Sequence, residues 1–118
     1  MAARRWRVRL GVAAEVDFAN ILKWTTENFG ARHSRAYRDT LVQAIGELAD
    51  GPNVAGSRAR DEIMAGIRTL HVARRGRRGS HFLMYRAAPN STIEIVRILH
   101  DRMDIQRHVP STPGESIE

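Results

Sequence analysis

Tyr37, Leu41, Ala44, Ile45 and Leu48 recur at i, i+4, i+7, i+8 and i+11. That is the spacing of one apolar helix face, and no other stretch of the chain carries so regular a pattern. A second stripe lies just upstream, where Ala14, Phe18, Ile21 and Trp24 or Thr25 follow three- and four-residue steps. Phe29-Gly30 closes the first segment, because glycine adopts the left-handed conformation that ends a helix without strain. Asp50-Gly51-Pro52 closes the second. A connection as short as Gly30-Ala31-Arg32 forces the two helices antiparallel. The sequence therefore predicts a helical hairpin over 13–29 and 31–50, with Phe18, Ile21, Leu41, Ile45 and Leu48 in the core.

The period changes on either side of the hairpin. Trp6-Arg7-Val8-Arg9-Leu10 alternates apolar and charged residues, as a half-buried strand does. After an irregular polar stretch from Asn53 to Ala65, strands are predicted over 66–73, 80–86 and 92–100. Arg74-Arg75-Gly76-Arg77-Arg78-Gly79 and Pro89-Asn90-Ser91 supply the turns between them. A short helix over 101–108 is expected, with Asp101 as its cap and Asp104 three residues on. The implied fold is α+β: a helical hairpin on one face of a small, mostly antiparallel four-stranded sheet. At 118 residues the chain has the size of one domain. The domain is expected to span 1–109, followed by a frayed tail at 110–118.

Composition narrows the function classes. No apolar run approaches the roughly 18 residues of a membrane span, and the N-terminus lacks a signal-peptide stretch, so a cytoplasmic protein is expected. Without cysteine, disulfides and thiolate metal sites are excluded. The formal net charge is +6. No acidic residue lies between Glu62 and Glu94, whereas Arg68, Arg74, Arg75, Arg77, Arg78 and Arg86 do. Such a segment is either a solvated arginine-rich loop or a surface for nucleic acid or an acidic protein.

The element order and several residues resemble the RelE/ParE toxin superfamily, and the ParE branch in particular. The shared positions are Ala14 and Asp17 opening helix one, Phe29-Gly30 before helix two, Tyr37 and Leu41 on it, and Pro52 after it. Further matches are Gly66-Ile67-Arg68, His81-Phe82-Leu83-Met84-Tyr85-Arg86, and a closing run from Arg97 through His100, Asp101, Asp104 and Arg107 to His108. The closing run is the most specific, and the resemblance covers residues 6 to about 109. It implies the toxin of a type II toxin–antitoxin system that inhibits DNA gyrase by binding and is neutralised by a ParD-like antitoxin. The antitoxin would wrap the toxin with a segment that folds on binding. DNA would be met only indirectly, through the antitoxin complex.

The candidate partner-binding residues are Arg68, Arg86, Arg97, His100, Asp101, Arg102, Asp104, Arg107 and His108. No catalytic residue, cofactor or metal is expected. Two alternatives stay open beside the gyrase inhibitor. One is a ribosome-dependent messenger-RNA endonuclease of the RelE type. Such enzymes commonly place a Tyr or His after the last strand, where this chain has Ile105, so only His100 or His108 could serve. The other is a degenerate, non-toxic binding domain. A metal site at His100, Asp104 and His108, spaced i, i+4, i+8, competes with plain helix capping by the two aspartates.

Overall fold

A single residue joins the two helices. In this computed structural model, which describes residues 5–102, α1 (Val12–Phe29) ends at Gly30 and α2 (Ala31–Glu47) begins directly after it. Gly30 has φ 94°, donates its amide to Thr26 O at 2.9 Å and offers its carbonyl to Ser34 N at 3.1 Å. It serves as stop for one helix and start for the next, a backbone position that suits glycine. The connection is thus tighter than the three residues expected. A 3-10 turn (Leu48–Asp50) extends α2.

The strands are β1 (Arg7–Leu10), β2 (Arg58–Ala59), β3 (Ile67–His71), β4 (His81–Ala88) and β5 (Thr92–His100). Their order in the sheet is β1-β5-β4-β3-β2. β1 runs parallel to β5, and the other pairs are antiparallel. The four-stranded expectation therefore gains a fifth, two-residue edge strand. Arg58 opposite Thr69 and Ala59 opposite Arg68 are too few residues to show any alternation in sequence. A register shift at Met84/Tyr85 leaves β5 one residue ahead of β4, which is how a bulge sharpens local twist.

Both helices cover one face of the sheet. The core between the layers holds Ala14, Leu41, Ala44, Leu48, Leu70, Val72, Leu83, Tyr85, Ile93, Ile95 and Ile98. Leu41 and Leu48 are fully buried, as predicted. Phe18, Ile21 and Ile45 are only partly buried and rim this core. With a single layer of two helices, residues at the edge of each stripe keep one side in water. On the opposite face a smaller cluster of Ile67, Phe82, Met84, Val96 and Leu99 packs with Met64.

Candidate partner interface

Most of the sheet arginines expected to meet a partner hold the fold instead. Arg97 on β5 is clasped by Asp17 on α1. Its Nε donates to Asp17 Oδ2 at 2.7 Å and its Nη2 to Oδ1 at 2.9 Å, while the Ile98 amide donates to Oδ2 at 2.9 Å. Planar guanidinium and carboxylate match in such a fork. That bond to Asp17 raises the already high pKa of Arg97. Arg68 donates to the Pro52 carbonyl at 2.8 Å and to Ser57 Oγ at 2.8 Å. Tyr85 Oη donates to the same Pro52 carbonyl at 2.6 Å, so the turn after α2 is tied to two strands. Arg86 pairs with Glu94 through Nε and Nη2, both at 3.1 Å, and remains substantially exposed. Of the basic turn, Arg74 and Arg75 converge on Glu47 Oε1 at 2.7 and 3.1 Å. Burial alone would raise the Glu47 pKa, but the two arginines outweigh it and lower it.

His100 and Asp101 sit in a different setting, at the end of β5. Asp101 lies in a turn, and its Oδ2 accepts from His71 Nε2 at 3.0 Å. The Ala73 amide donates to His71 Nδ1 at 2.9 Å, so the neutral ring carries its proton on Nε2. That bond from His71 is the first cause of the lowered Asp101 pKa. His100 Nδ1 accepts from the Arg102 amide at 3.1 Å and lies 3.4 Å from Asp101 Oδ1. Since Nδ1 is occupied as an acceptor, the His100–Asp101 contact becomes an ion pair only when the imidazole is protonated. Arg102 is exposed. Asp104, Arg107, His108, Ile105 and the expected helix lie outside the described residues, as does the expected boundary at 109.

Beside this end of the sheet runs a groove of about 890 Å³. One wall is α1, through Asn20, Ile21, Trp24, Thr25 and Phe29. The opposite side is His33 and Tyr37 on α2, the turn residues Arg78, Gly79 and Ser80, and His81 and His100 on the strands. Trp24 and Phe29 meet edge to face with centroids 5.6 Å apart, yet each leaves over half its surface in solvent, at 57% and 58%. Phe29 also contacts the His33 ring. The floor is polar and ordered. Tyr37 Oη accepts the Ser80 amide at 3.0 Å and lies 2.7 Å from His81 Nδ1, and the His81 ring meets His100 at 5.2 Å. Gly79 permits this approach, since a Cβ there would stand 2.5 Å from Val72 Cγ2 and 3.2 Å from Tyr37 Oη.

The titration states follow from the packing. Burial, with the neighbouring His100 acting in the same direction, pushes His81 down to about 4, so it is neutral near pH 7. In the tautomer that carries its proton on Nε2, Nδ1 accepts a hydrogen bond from the Tyr37 hydroxyl. Burial likewise raises the Tyr37 pKa, against the amide bond from Ser80. Among the described residues no group of three or more His, Asp or Glu side chains is arranged to hold a metal ion. The sequence placed Tyr37 and His81 in elements and motifs without a role, and assigned Trp24, Phe29 and His33 none. The sequence left Trp24 and Thr25 as alternatives for the end of the α1 stripe; the structure buries Thr25 and leaves Trp24 outside it.

A family described as "ParE toxin of type II toxin-antitoxin system, parDE" matches residues 8–105. This chain belongs to the ParE toxin family. The "Toxin ParE1" of Mycobacterium tuberculosis is 36% identical over 103 residues, covering 87% of this chain and 97% of that one. The "Toxin ParE1" of Caulobacter vibrioides is 27% identical over 101 residues, covering 86% and 95%. In three dimensions the chain resembles a "Chromosomal ParDE TA system from P. aeruginosa", with a TM-score of 0.67 and 18% identity over 83% of this chain and 98% of that one. It also resembles the toxin–antitoxin complex RelBE2 of Mycobacterium tuberculosis, with a TM-score of 0.57 and 21% identity over 84% and 94%. At such identities these two likenesses concern the fold. Asp17 and Arg97 stand 80 positions apart in the sequence. They are the two halves of one ion pair between the layers. No helix among the described residues is long and apolar enough to cross a membrane.

Proposed function

We propose that this ParE-family toxin acts by binding, with DNA gyrase as its target, and that a cognate antitoxin neutralises it by seating an acidic amphipathic segment in the Trp24–His100 groove. The observation that carries this reading is the groove itself. It joins an exposed aromatic wall to a polar floor with Arg78 at its edge. Aromatic anchors in a concave site, with arginine beside them, are the features that dominate binding energy at protein interfaces. An apolar side of the incoming helix would cover Trp24 and Phe29, and a carboxylate would reach Arg78. The RelBE2 and ParDE neighbours are both described as toxin–antitoxin assemblies, which supports a partner of this kind here. The gyrase target rests on the ParE resemblance.

A nuclease has one observation in its favour: Tyr37, His81, His100 and Arg78 line the same groove. The ionisation of Tyr37 and His81 argues against a catalytic role for these two. A general acid or base works best with a pKa near the working pH. His81 at about 4 and a Tyr37 raised above its ordinary value both lie far from neutrality. The deciding experiment sets the purified chain against gyrase from its own host and against translating ribosomes, with and without the product of an adjacent small gene. Loss of supercoiling and accumulation of cleaved DNA, with ribosome-bound message intact and the block relieved by the partner, is the expected result. Codon-specific cuts in message, with gyrase unaffected, would overturn the gyrase reading in favour of RNA cleavage. Indifference of both targets would leave a non-toxic binding domain.

A further inference from the structure

The helix-free face of the sheet carries an arginine array that no part of the reading above uses. The strand registers place it. Arg9 on β1 stands opposite Glu94 on β5, Glu94 opposite Arg86 on β4, and Arg86 opposite Ile67 on β3. Beyond β2, Arg60 donates its amide to Ile67 O and its Nε to Thr69 Oγ1, so it continues the same row. Arg7, opposite Thr92, and Arg58, opposite Thr69, flank the row at the two edges. Alternation along a strand keeps all of these on one face, away from the helices.

Charge on this face is unbalanced. Glu94 accepts from Arg86 and lies 3.7 Å from Arg9, and Glu62 lies 3.7 Å from Arg60. Arg7 and Arg58 are exposed and have no ionic partner among the described residues. Five arginines thus face two carboxylates. On the β1 side the surface is hollowed into two depressions of about 510 Å³ each, which share Arg7 and Asn90. Arg5 lines the second. With strands about 4.8 Å apart, five strands span about 19 Å between edges, so the cations form a band and not a point.

We propose that this face binds the phosphodiester backbone of duplex DNA directly, independently of the groove and of any antitoxin. Spaced guanidinium groups along one face suit the regularly spaced phosphates of a duplex. Phe82 on this face is buried, and the His71 ring is held by Asp101 through Nε2 at 3.0 Å. A single strand, which binds chiefly by stacking its bases on such rings, has no platform here.

The test uses the full chain alone, without gyrase, and short labelled probes of duplex DNA, single-stranded DNA and RNA. Binding is followed by anisotropy across a salt series. The expected result is sequence-independent binding to duplex DNA that weakens steeply with salt. The double variant Arg7→Ala/Arg9→Ala should make the log–log salt slope shallower by about two. Arg7→Lys/Arg9→Lys should restore most of the binding, because a point charge serves a phosphate nearly as well. Removing the same charge from the helical layer, with Arg35→Ala/Arg38→Ala, should leave the slope nearly unchanged. Absence of duplex binding at low salt overturns the proposal. So does a preference for RNA or single strands, or equal weakening by the helical-layer control. Because no gyrase is present, failure here leaves the gyrase reading standing, and failure of that reading leaves this one.

Discussion

Asp17 on the first helix and Arg97 on the last strand join through two parallel hydrogen bonds of 2.7 and 2.9 Å, and the Ile98 amide adds a third donor to the same carboxylate. The pair ties the helical layer to the sheet at the end where β5 runs toward the groove. Asp17→Ala would leave a largely covered guanidinium and a strand amide without their acceptor. Removing one partner of a buried pair is strongly destabilising, and partial exposure moderates the cost here to about 2–3 kcal/mol. Urea unfolding should show that loss. The double variant Asp17→Ala/Arg97→Ala should lose clearly less than the sum of the two single changes. Additive losses would mean that the two side chains contribute separately.

Leu41 sits at the centre of the α2 stripe and is fully buried against the sheet. Leu41→Ala opens a cavity between rigid layers and should cost about 2–5 kcal/mol. Ile45→Ala, at the partly buried rim, should cost less. The comparison is made by chemical denaturation, and equal costs would place the rim inside the core.

His81 makes stability depend on pH. Unfolded, its imidazole titrates near 6.5, and in the folded chain burial and the nearby His100 lower this to about 4. Between these values the unfolded chain binds a proton that the folded chain does not. The contribution is therefore fully present above pH 6.5 and is lost as the pH falls toward 4. After allowance for partial exposure, the loss from this group is about 1–3 kcal/mol. Urea midpoints measured across that window should fall in the wild-type chain. His81→Gln should flatten this part of the profile, and an unchanged profile would show that His81 is not the titrating group.

Trp24 and Phe29 are large, exposed and contribute little to the core. Trp24→Ala and Phe29→Ala should each change folding stability by less than about 1 kcal/mol. The same changes should weaken the antitoxin complex by about tenfold or more, which is about 1.4 kcal/mol. Titration calorimetry against the partner measures this directly. Unchanged affinity would move the interface away from the groove.

Periodicity alone determined the helical hairpin, because an amphipathic stripe and a one-sided sheet have few ways to bury their apolar faces together. It also determined three of the sheet strands, whose β-branched runs and turns are local signals, and β1, whose alternation survives at an edge. The two-residue β2 carries no such signal and exists only because β3 offers it an edge to pair with. The closing run of the sequence marked His100 and Asp101 as worth attention, and the structure gives them neighbours. What those neighbours are was undetermined in one dimension. His81 meets His100 only because β4 pairs with β5, and His71 reaches Asp101 only because β3 lies beside β4. Tyr37 reaches His81 across 44 positions only because Gly79 lets the turn approach α2. The arginines teach the same point in reverse. Sequence shows their charge, but only packing decides that Arg97 is spent on Asp17 and Arg68 on Pro52, while Arg7 and Arg58 face solvent. Hydrophobic pattern is a local property of the chain, whereas a hydrogen-bond partner is a property of the place to which the fold brings each side chain.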